Sequence, residues 1–281
     1  MKVLLTGGRG MLGRTLVQRL SRHELVVTDL PELDITSPGK TRRAFSEIKP
    51  SVVIHCAAMT AVDQCEVESD LAFRVNAVGT ANVAIATERV GARLIAVSTD
   101  YVFDGSASRP YHEWDKPDPR TAYGASKLAG EQSIAQHCPD HAILRTAWLY
   151  GTLGPSFLHT MMKLGSTDGP PLKIVADQVG NPTSTDALAS CIAWMLDEPA
   201  VGIVHATCEG EASWYDFAQA IFELWPARRD RLPCTTAEYP RPAPRPANSR
   251  LEKRALRLLN LGPMPHWRDA LGRFFSDHPT G

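Results

Sequence analysis

The sequence has few cysteines, no long hydrophobic run and no excess of charge of either sign. Its six cysteines lack the paired spacing of a zinc site or a redox dithiol, which favours a reduced, cytoplasmic protein. No stretch approaches the roughly 20 apolar residues of a membrane span, and the apolar run in MKVLLTGGRG is too short for a signal peptide. The net charge of -1 argues against a surface built to bind nucleic acid or an anionic membrane.

Short apolar runs alternate with helical patterns through the first half of the chain. The pattern predicts strands at residues 2–6, 24–29, 51–58, 93–99 and 141–150. It predicts helices at residues 11–23, 38–49 and 70–91 and one that begins near Tyr123. This alternation is typical of an α/β protein with a Rossmann-type doubly wound parallel sheet. In such sheets ligands bind beyond the carboxyl ends of the strands.

The alternation changes after Tyr150, and the composition changes again in the proline-rich stretch YPRPAPRPANSR. We therefore expect an NAD(P)-binding Rossmann domain over residues 1–150, with roughly residues 184–205 packing back onto it. A smaller C-terminal substrate-binding domain is expected from residues 151–183 and 206–281.

The motif TGGRGMLG places Gly7, Gly10 and Gly13 between the first strand and the first helix. Small residues there allow a sharp turn and a close approach to a pyrophosphate, which predicts dinucleotide binding; the alternative is an ordinary glycine-rich turn. Asp29 ends the second strand, where an acid that binds the adenosine ribose favours NADH. Arg9 and Arg14 are near enough in sequence to bind the 2′-phosphate of NADPH instead. Asp34 is expected either at the adenine edge or in a local turn.

Tyr123 and Lys127 in TAYGASKLAGE are four residues apart, which makes them neighbours on a helix. A nearby ammonium group favours the ionised form of a phenol, so the pair is suited to proton transfer. The same spacing also occurs by chance on exposed helices. The pair therefore indicates chemistry only if the rest of the chain builds a site around it.

Several motifs together resemble the dTDP-4-dehydrorhamnose reductase family of the extended short-chain dehydrogenase/reductase superfamily. TGGRGMLG, STDYVF and YGASK are shared across the superfamily, whereas SWYDFA and RPANSRL are much narrower. The resemblance extends from residue 2 to about residue 275. It implies reduction of the 4-keto group of a nucleotide sugar by NADPH or NADH.

The resemblance also implies roles for individual residues. Tyr123 is expected to donate a proton to the ketone oxygen, Lys127 to bind the nicotinamide ribose and lower the pKa of Tyr123, and Thr99 rather than Ser98 to orient the ketone. The cofactor-binding residues implied besides Tyr123 and Lys127 are Gly7, Gly10, Met11, Leu12, Gly13, Asp29, Asp34, Ile35, Ala57, Ala58, Thr60 and Asn76. The implied substrate-binding residues are Thr60, Val62, Thr99, Asp100, Tyr101, Trp148 and Arg250.

Two of these residues have other interpretations. Trp148 is as well explained by core packing. Arg250 or Arg245 is expected to bind a diphosphate, because guanidinium groups pair with phosphate oxygens, but both arginines lie in a stretch that also fits a solvated loop.

Other functions remain compatible with the motifs. The chain also resembles reductases or epimerases of other 4-keto-6-deoxy nucleotide sugars, and the regulatory subunit of methionine adenosyltransferase, which keeps the nucleotide fold but binds a partner. The nine histidines show no ligand spacing, so no metal site is expected. The expected ligand is a small-molecule nucleotide sugar, and a homodimer is compatible with the sequence.

Overall fold

A computed structural model describes residues 1–198 and 200–277 of the chain. Its strands are β1 (Lys2–Thr6), β2 (Glu24–Thr28), β3 (Val52–His55), β4 (Arg93–Thr99), β5 (His141–Thr146), β6 (Leu149–Tyr150), β7 (Leu172–Val175), β8 (Val179–Gly180), β9 (Thr183–Ser184), β10 (Gly202–His205), β11 (Ala212–Ser213) and β12 (Arg231–Cys234). Six of them form one sheet in the order β10-β5-β4-β3-β1-β2, in which every pairing is parallel. The predicted parallel α/β sheet is confirmed.

Helices cover both faces of this sheet. They are α1 (Met11–Arg19), α2 (Pro38–Ile48), α3 (Val62–Val67), α4 (Ser69–Phe73), α5 (Thr80–Arg89), α6 (Ala122–His137), α7 (Phe157–Gly165), α8 (Thr185–Asp197), α9 (Trp214–Leu224), α10 (Arg254–Leu258) and α11 (Trp267–Asp277). Successive side chains of β1 point to opposite faces: Val3 and Leu5 pack with residues of α1 and α8, and Leu4 packs with residues of α2, α5 and α6. Burial on both faces explains why these strands read as continuous apolar runs.

The strand predicted over residues 141–150 is interrupted, so the prediction is wrong at its end. β5 stops at Thr146, and Trp148 has a left-handed backbone with φ of 49°. A strand cannot continue through that conformation. Beyond it β6 pairs with β9 instead of extending the large sheet. Because of this break, the Trp148 side chain does not follow the alternation of β5.

The helix predicted over residues 70–91 forms, but it contains a π-helical stretch at Arg74–Gly79 between α4 and α5. Gly130 on α6 faces this stretch, and a Cβ atom there would lie 2.4 Å from the carbonyl oxygen of Asn76. Such π-bulges often occur at functional sites. The helical segment runs from Ser69 to Arg89 instead of from 70 to 91, and its local widening was not predicted.

The second half of the chain contributes both to the sheet and to a separate group of elements. α8 packs against α1, and β10 extends the large sheet beside β5. The pairs β7–β12, β8–β11 and β6–β9 lie outside that sheet. Residue 199 of the expected segment 184–205, and residues 278–281 of the expected substrate domain, lie outside the described residues. Within the described ranges, no helix is both long enough and apolar enough to cross a membrane.

Candidate active site

Two neighbouring cavities form a groove along the carboxyl ends of the strands. One, of about 350 Å³, is lined by residues that follow β1, β2 and β3. The other, of about 370 Å³, extends towards the ends of β4 and β5. They share four lining residues, which are Gly7, Gly10, Cys56 and Ala58. The predicted collection of motifs at one sheet edge is therefore present, and we call the first cavity the adenosine-side cavity and the second the central cavity.

The glycine turn needs its glycines for steric reasons. Gly7 has φ of 74°, and a Cβ atom on it would lie 2.5 Å from the backbone nitrogen of Ala57. A Cβ atom on Gly13 would lie 2.3 Å from the carbonyl oxygen of Gly7. Gly10 precedes α1, whose first amide groups have no partner within the helix. Met11, Leu12 and Gly13 line the central cavity at this end of α1, which can bind an anion.

Asp29 lies at the other end of the groove with its carboxylate held in place. Its Oδ2 accepts the Arg9 backbone N–H at 2.8 Å, and its Oδ1 accepts the Leu30 N–H at 2.8 Å. The Arg9 guanidinium donates instead to the Leu30 carbonyl and pairs with Glu32. Arg9 and Arg14 do not line the adenosine-side cavity, whereas Asp29 does.

Asp34, Ile35 and Ala57 also line the adenosine-side cavity. Asp34 accepts the backbone N–H of Thr36 at 2.9 Å and its hydroxyl at 2.7 Å. The hydroxyl bond, followed by the backbone bond, lowers the pKa of Asp34. Asp34 is therefore a local turn carboxylate that also lines the adenosine-side cavity.

Thr99, Tyr123 and Lys127 converge on the central cavity. Thr99 is the last residue of β4, and the Thr121 hydroxyl caps α6 by accepting the Gly124 N–H at 3.0 Å. This cap places Tyr123 in the first helical turn and Lys127 one turn later. A Cβ atom on Gly124 would lie 2.1 Å from the Tyr101 carbonyl oxygen, so only glycine allows α6 to start this close to the end of β4.

The electrostatics of the pair differ from the prediction. Burial raises the pKa of Tyr123, and the Thr99 hydroxyl acts in the opposite direction. Burial also lowers the pKa of Lys127 to about 8, while the Lys127 Nζ donates to the Val97 carbonyl at 2.8 Å. The net pKa of Tyr123 is therefore raised rather than lowered, because the desolvation of the phenol outweighs the effect expected from Lys127. The phenol keeps its proton, which is the form that a proton donor requires.

The neighbours of Thr99 complete this end of the central cavity. The Thr99 hydroxyl donates to Asp100 Oδ1 at 2.9 Å and accepts the Tyr101 N–H at 3.2 Å. Burial raises the pKa of Asp100 to about 6 against the hydrogen bonds that lower it. The Tyr101 and Tyr123 rings meet edge to face at 5.5 Å. The Ser98 hydroxyl donates away from Thr99, to Glu131 at 2.5 Å.

Asn76 is fully buried and lines neither cavity. Its side-chain oxygen accepts the Met59 N–H at 2.8 Å, and its nitrogen donates to the Met59 carbonyl and to the Ser126 hydroxyl, both at 3.0 Å. Asn76 therefore joins α6 to the segment that leads to Thr60 and Val62, two residues that line the central cavity.

A profile of the family described as the RmlD substrate binding domain matches residues 1–279. The chain belongs to this family. It is 44% identical to a dTDP-4-dehydrorhamnose reductase of Streptomyces griseus, over 97% of this chain and 92% of that protein.

Solved structures give the same result. A crystal structure of a dTDP-4-dehydrorhamnose reductase from Clostridium acetobutylicum matches with a TM-score of 0.97 at 45% identity, covering 100% of both chains. One from Bacillus anthracis in complex with NADP matches with a TM-score of 0.95 at 39% identity, covering 98% of this chain and 99% of that chain. The family resemblance and the Rossmann-type fold are confirmed.

A third cavity, of about 360 Å³, adjoins the central cavity, and Tyr101 lines both of them. We call it the arginine-side cavity, because Arg241 and Arg245 line it together with Lys173. Trp148 lines the central cavity and Trp214 the arginine-side cavity, and their indoles stack with centroids 3.4 Å apart. Trp148 thus packs against a neighbour and also faces a cavity.

Arg250 lies outside all three cavities. Its Nε donates to Asn248 at 2.8 Å, one terminal nitrogen pairs with Glu211 at 3.0 Å, and the other donates to the Ser108 carbonyl at 2.8 Å. Arg245, the alternative in the sequence, pairs with Asp63 at 2.9 Å and faces the arginine-side cavity. Lys173, Gln178 and the stacked Trp214 also face that cavity, and no charge pattern in the sequence around them predicts this position.

Among residues 1–198 and 200–277, no group of three or more His, Cys, Asp or Glu side chains is arranged to hold a metal ion.

Proposed function

We propose that the protein reduces the 4-keto group of dTDP-4-dehydro-L-rhamnose with NADPH or NADH to give dTDP-L-rhamnose. The observation that carries the proposal is that Thr99, Tyr123 and Lys127 line the central cavity, which adjoins the adenosine-side cavity and the arginine-side cavity. The names of the reductases at 44% and 45% identity support the choice of substrate.

The groove fits NAD(P)H. Gly7, Gly10 and Gly13 leave room for a pyrophosphate at the start of α1, and Asp29 offers a fixed acceptor to the adenosine ribose. The cofactor, when bound, supplies the hydride that adds to the ketone carbon. Lys127, held at Val97, binds the nicotinamide ribose with its ammonium group.

Tyr123 supplies the proton. As the ketone carbon gains a hydride, negative charge develops on the oxygen, and the Tyr123 hydroxyl donates its proton to that oxygen. The Thr99 hydroxyl has one proton to donate, so it orients the ketone oxygen by turning its hydrogen bond from Asp100 Oδ1 to that oxygen. The neighbouring Lys127 charge stabilises the tyrosinate that remains until solvent returns a proton.

The substrate-binding part is formed by residues 151–183 and 206–277, and residues 1–150 with about 184–205 form the Rossmann part.

Arg241 and Arg245 bind the diphosphate, because guanidinium groups form paired hydrogen bonds with phosphate oxygens. Trp148, Asp100 and Tyr101 contact the sugar from the central cavity. Arg250 keeps the proline-rich stretch in place instead of contacting the ligand.

The test is an assay with purified protein, dTDP-4-dehydro-L-rhamnose and either NADH or NADPH. Loss of absorbance of the reduced cofactor and formation of dTDP-L-rhamnose by mass spectrometry are expected. Isomerisation of the sugar without net oxidation of added cofactor would favour an epimerase. No reaction with any dTDP-, GDP- or CDP-4-keto sugar would contradict a reductase altogether.

Replacing Gly13 by Ala should weaken cofactor binding and lower stability by about 1–3 kcal/mol, because the new methyl group meets backbone atoms that cannot move easily. The melting temperature and the Kd for NADPH measure both effects. Gly39→Ala in α2 is the matched control, since a Cβ atom there meets nothing within 4 Å. Equal behaviour of the two variants would show that the tight turn at Gly13 is unimportant.

A further inference from the structure

Glu131 and Arg145 form an ion pair inside the protein, with exposed fractions of 5% and 1%. Arg145 Nη2 donates to Glu131 Oε2 at 2.6 Å, and Arg145 Nε donates to Glu131 Oε1 at 3.0 Å. The desolvation of two buried charges largely cancels their attraction, so such a pair is weak evidence for a role in stability. Its position suggests another role.

The Glu131 carboxylate contacts the strand that carries Thr99. The Ser98 hydroxyl donates to Glu131 Oε1 at 2.5 Å, and Ser98 lies opposite Arg145 in the register of β4 and β5. Glu131 also lies four residues after Lys127 on α6, which makes the two side chains neighbours on the helix. One carboxylate therefore links the helix of Tyr123 and Lys127 to the ends of both strands.

Few other charges face Lys127. His55 and Cys56 approach it from the end of β3, but burial lowers the pKa of His55 to about 3 and raises the pKa of Cys56 to about 12. Both are therefore uncharged at neutral pH. On α6, Tyr123 keeps its proton, and Glu131 is the largest influence that opposes the effect of burial on Lys127. Arg145 pairs with Glu131 and not with Lys127.

We propose that Glu131 is a positioning residue of the active site, which fixes α6 against β4 and β5 through Ser98 and Arg145 and keeps Lys127 charged. The inference rests on the proposed function in assigning Lys127 to the cofactor. It can nevertheless be tested by cofactor binding alone, without turnover.

The experiment measures the Kd for NADPH from pH 6 to pH 9, by cofactor fluorescence, in the wild type and in Glu131→Gln. Wild-type affinity should fall as pH rises through about 8, where Lys127 loses its proton. In Glu131→Gln the same fall should occur about one pH unit lower, so that NADPH binds about five-fold more weakly at pH 8 and almost equally at pH 6. A purely structural role would weaken binding equally at every pH.

Glu131→Gln leaves Arg145 without its partner, so a double variant with Arg145→Met removes both charges and restores a neutral interior. Its pH dependence should be displaced in the same direction but by less than in Glu131→Gln, because the unpaired Arg145 charge that disfavours protonated Lys127 has been removed. Glu113→Gln is the control, because Glu113 is a buried carboxylate that accepts backbone N–H groups of His205 and Ala255 and does not contact Lys127. It should leave the pH dependence unchanged. A wild-type pH dependence in both folded Glu131 variants would overturn the proposal, whereas NADPH binding without reductase activity would count only against the proposed function.

Discussion

Tyr123→Phe is expected to lower kcat for reduction of the keto sugar by about 10²–10⁴-fold, with the Kd for NADPH nearly unchanged. The substitution removes the proton donor but keeps the buried ring and its edge-to-face contact with Tyr101. Single-turnover oxidation of bound NADPH measures the chemical step directly.

Tyr150→Phe is a matched control for this experiment. Tyr150 is also buried, and its hydroxyl has no hydrogen-bond partner among the described residues. It lines neither the groove nor the arginine-side cavity. Its loss should leave kcat unchanged. If Tyr123→Phe retained most of its turnover, Tyr123 would not be the acid.

Arg245→Ala should raise the KM for the nucleotide sugar by about 10–100-fold, which corresponds to the loss of a hydrogen bond to a charged group. Arg245 faces the arginine-side cavity and is held there by Asp63, whereas its removal leaves the central cavity intact. We therefore expect a smaller change in kcat than in KM, measured in steady-state assays and by calorimetric binding of dTDP.

Arg250→Ala separates the two arginines of the proline-rich stretch. Arg250 is bound to Asn248, Glu211 and Ser108 away from the cavities, so its loss should lower the melting temperature and leave dTDP affinity close to wild type. If Arg250→Ala lost dTDP binding and Arg245→Ala did not, the diphosphate would bind where the family motif suggested.

The parts predicted well from sequence are those fixed by local patterns. The apolar runs specify buried parallel strands. Cβ atoms on Gly10 and Gly13 would meet Gly7, only a few residues away, whereas a Cβ atom on Gly7 itself would meet Ala57 on a distant segment. The spacing of Tyr123 and Lys127 places them on one helix face wherever that helix lies. Thr99 is the last residue of β4, so its place at the carboxyl edge of the sheet could be predicted from the strand pattern.

The parts that were missed depend on contacts distant in sequence. Asp63 pairs with Arg245 and Glu211 pairs with Arg250, and both carboxylates are distant in sequence from these arginines, so no local pattern shows which arginine faces the arginine-side cavity. The pKa of Tyr123 depends on burial by neighbouring elements, which no spacing reveals. The left-handed backbone conformation of Trp148 likewise depends on contacts with other segments. The apolar pattern of residues 141–150 therefore predicted an uninterrupted strand.

The stacked indoles have a consequence for engineering substrate selectivity. Trp148 lies against Gly180, where a Cβ atom would be 2.5 Å from the ring, and it stacks on Trp214. Three separate segments thus pack together where the central and arginine-side cavities adjoin. A change of side-chain size at one of these positions will displace the other two residues. Selectivity libraries should vary positions 148, 180 and 214 together, because single substitutions there will not combine additively.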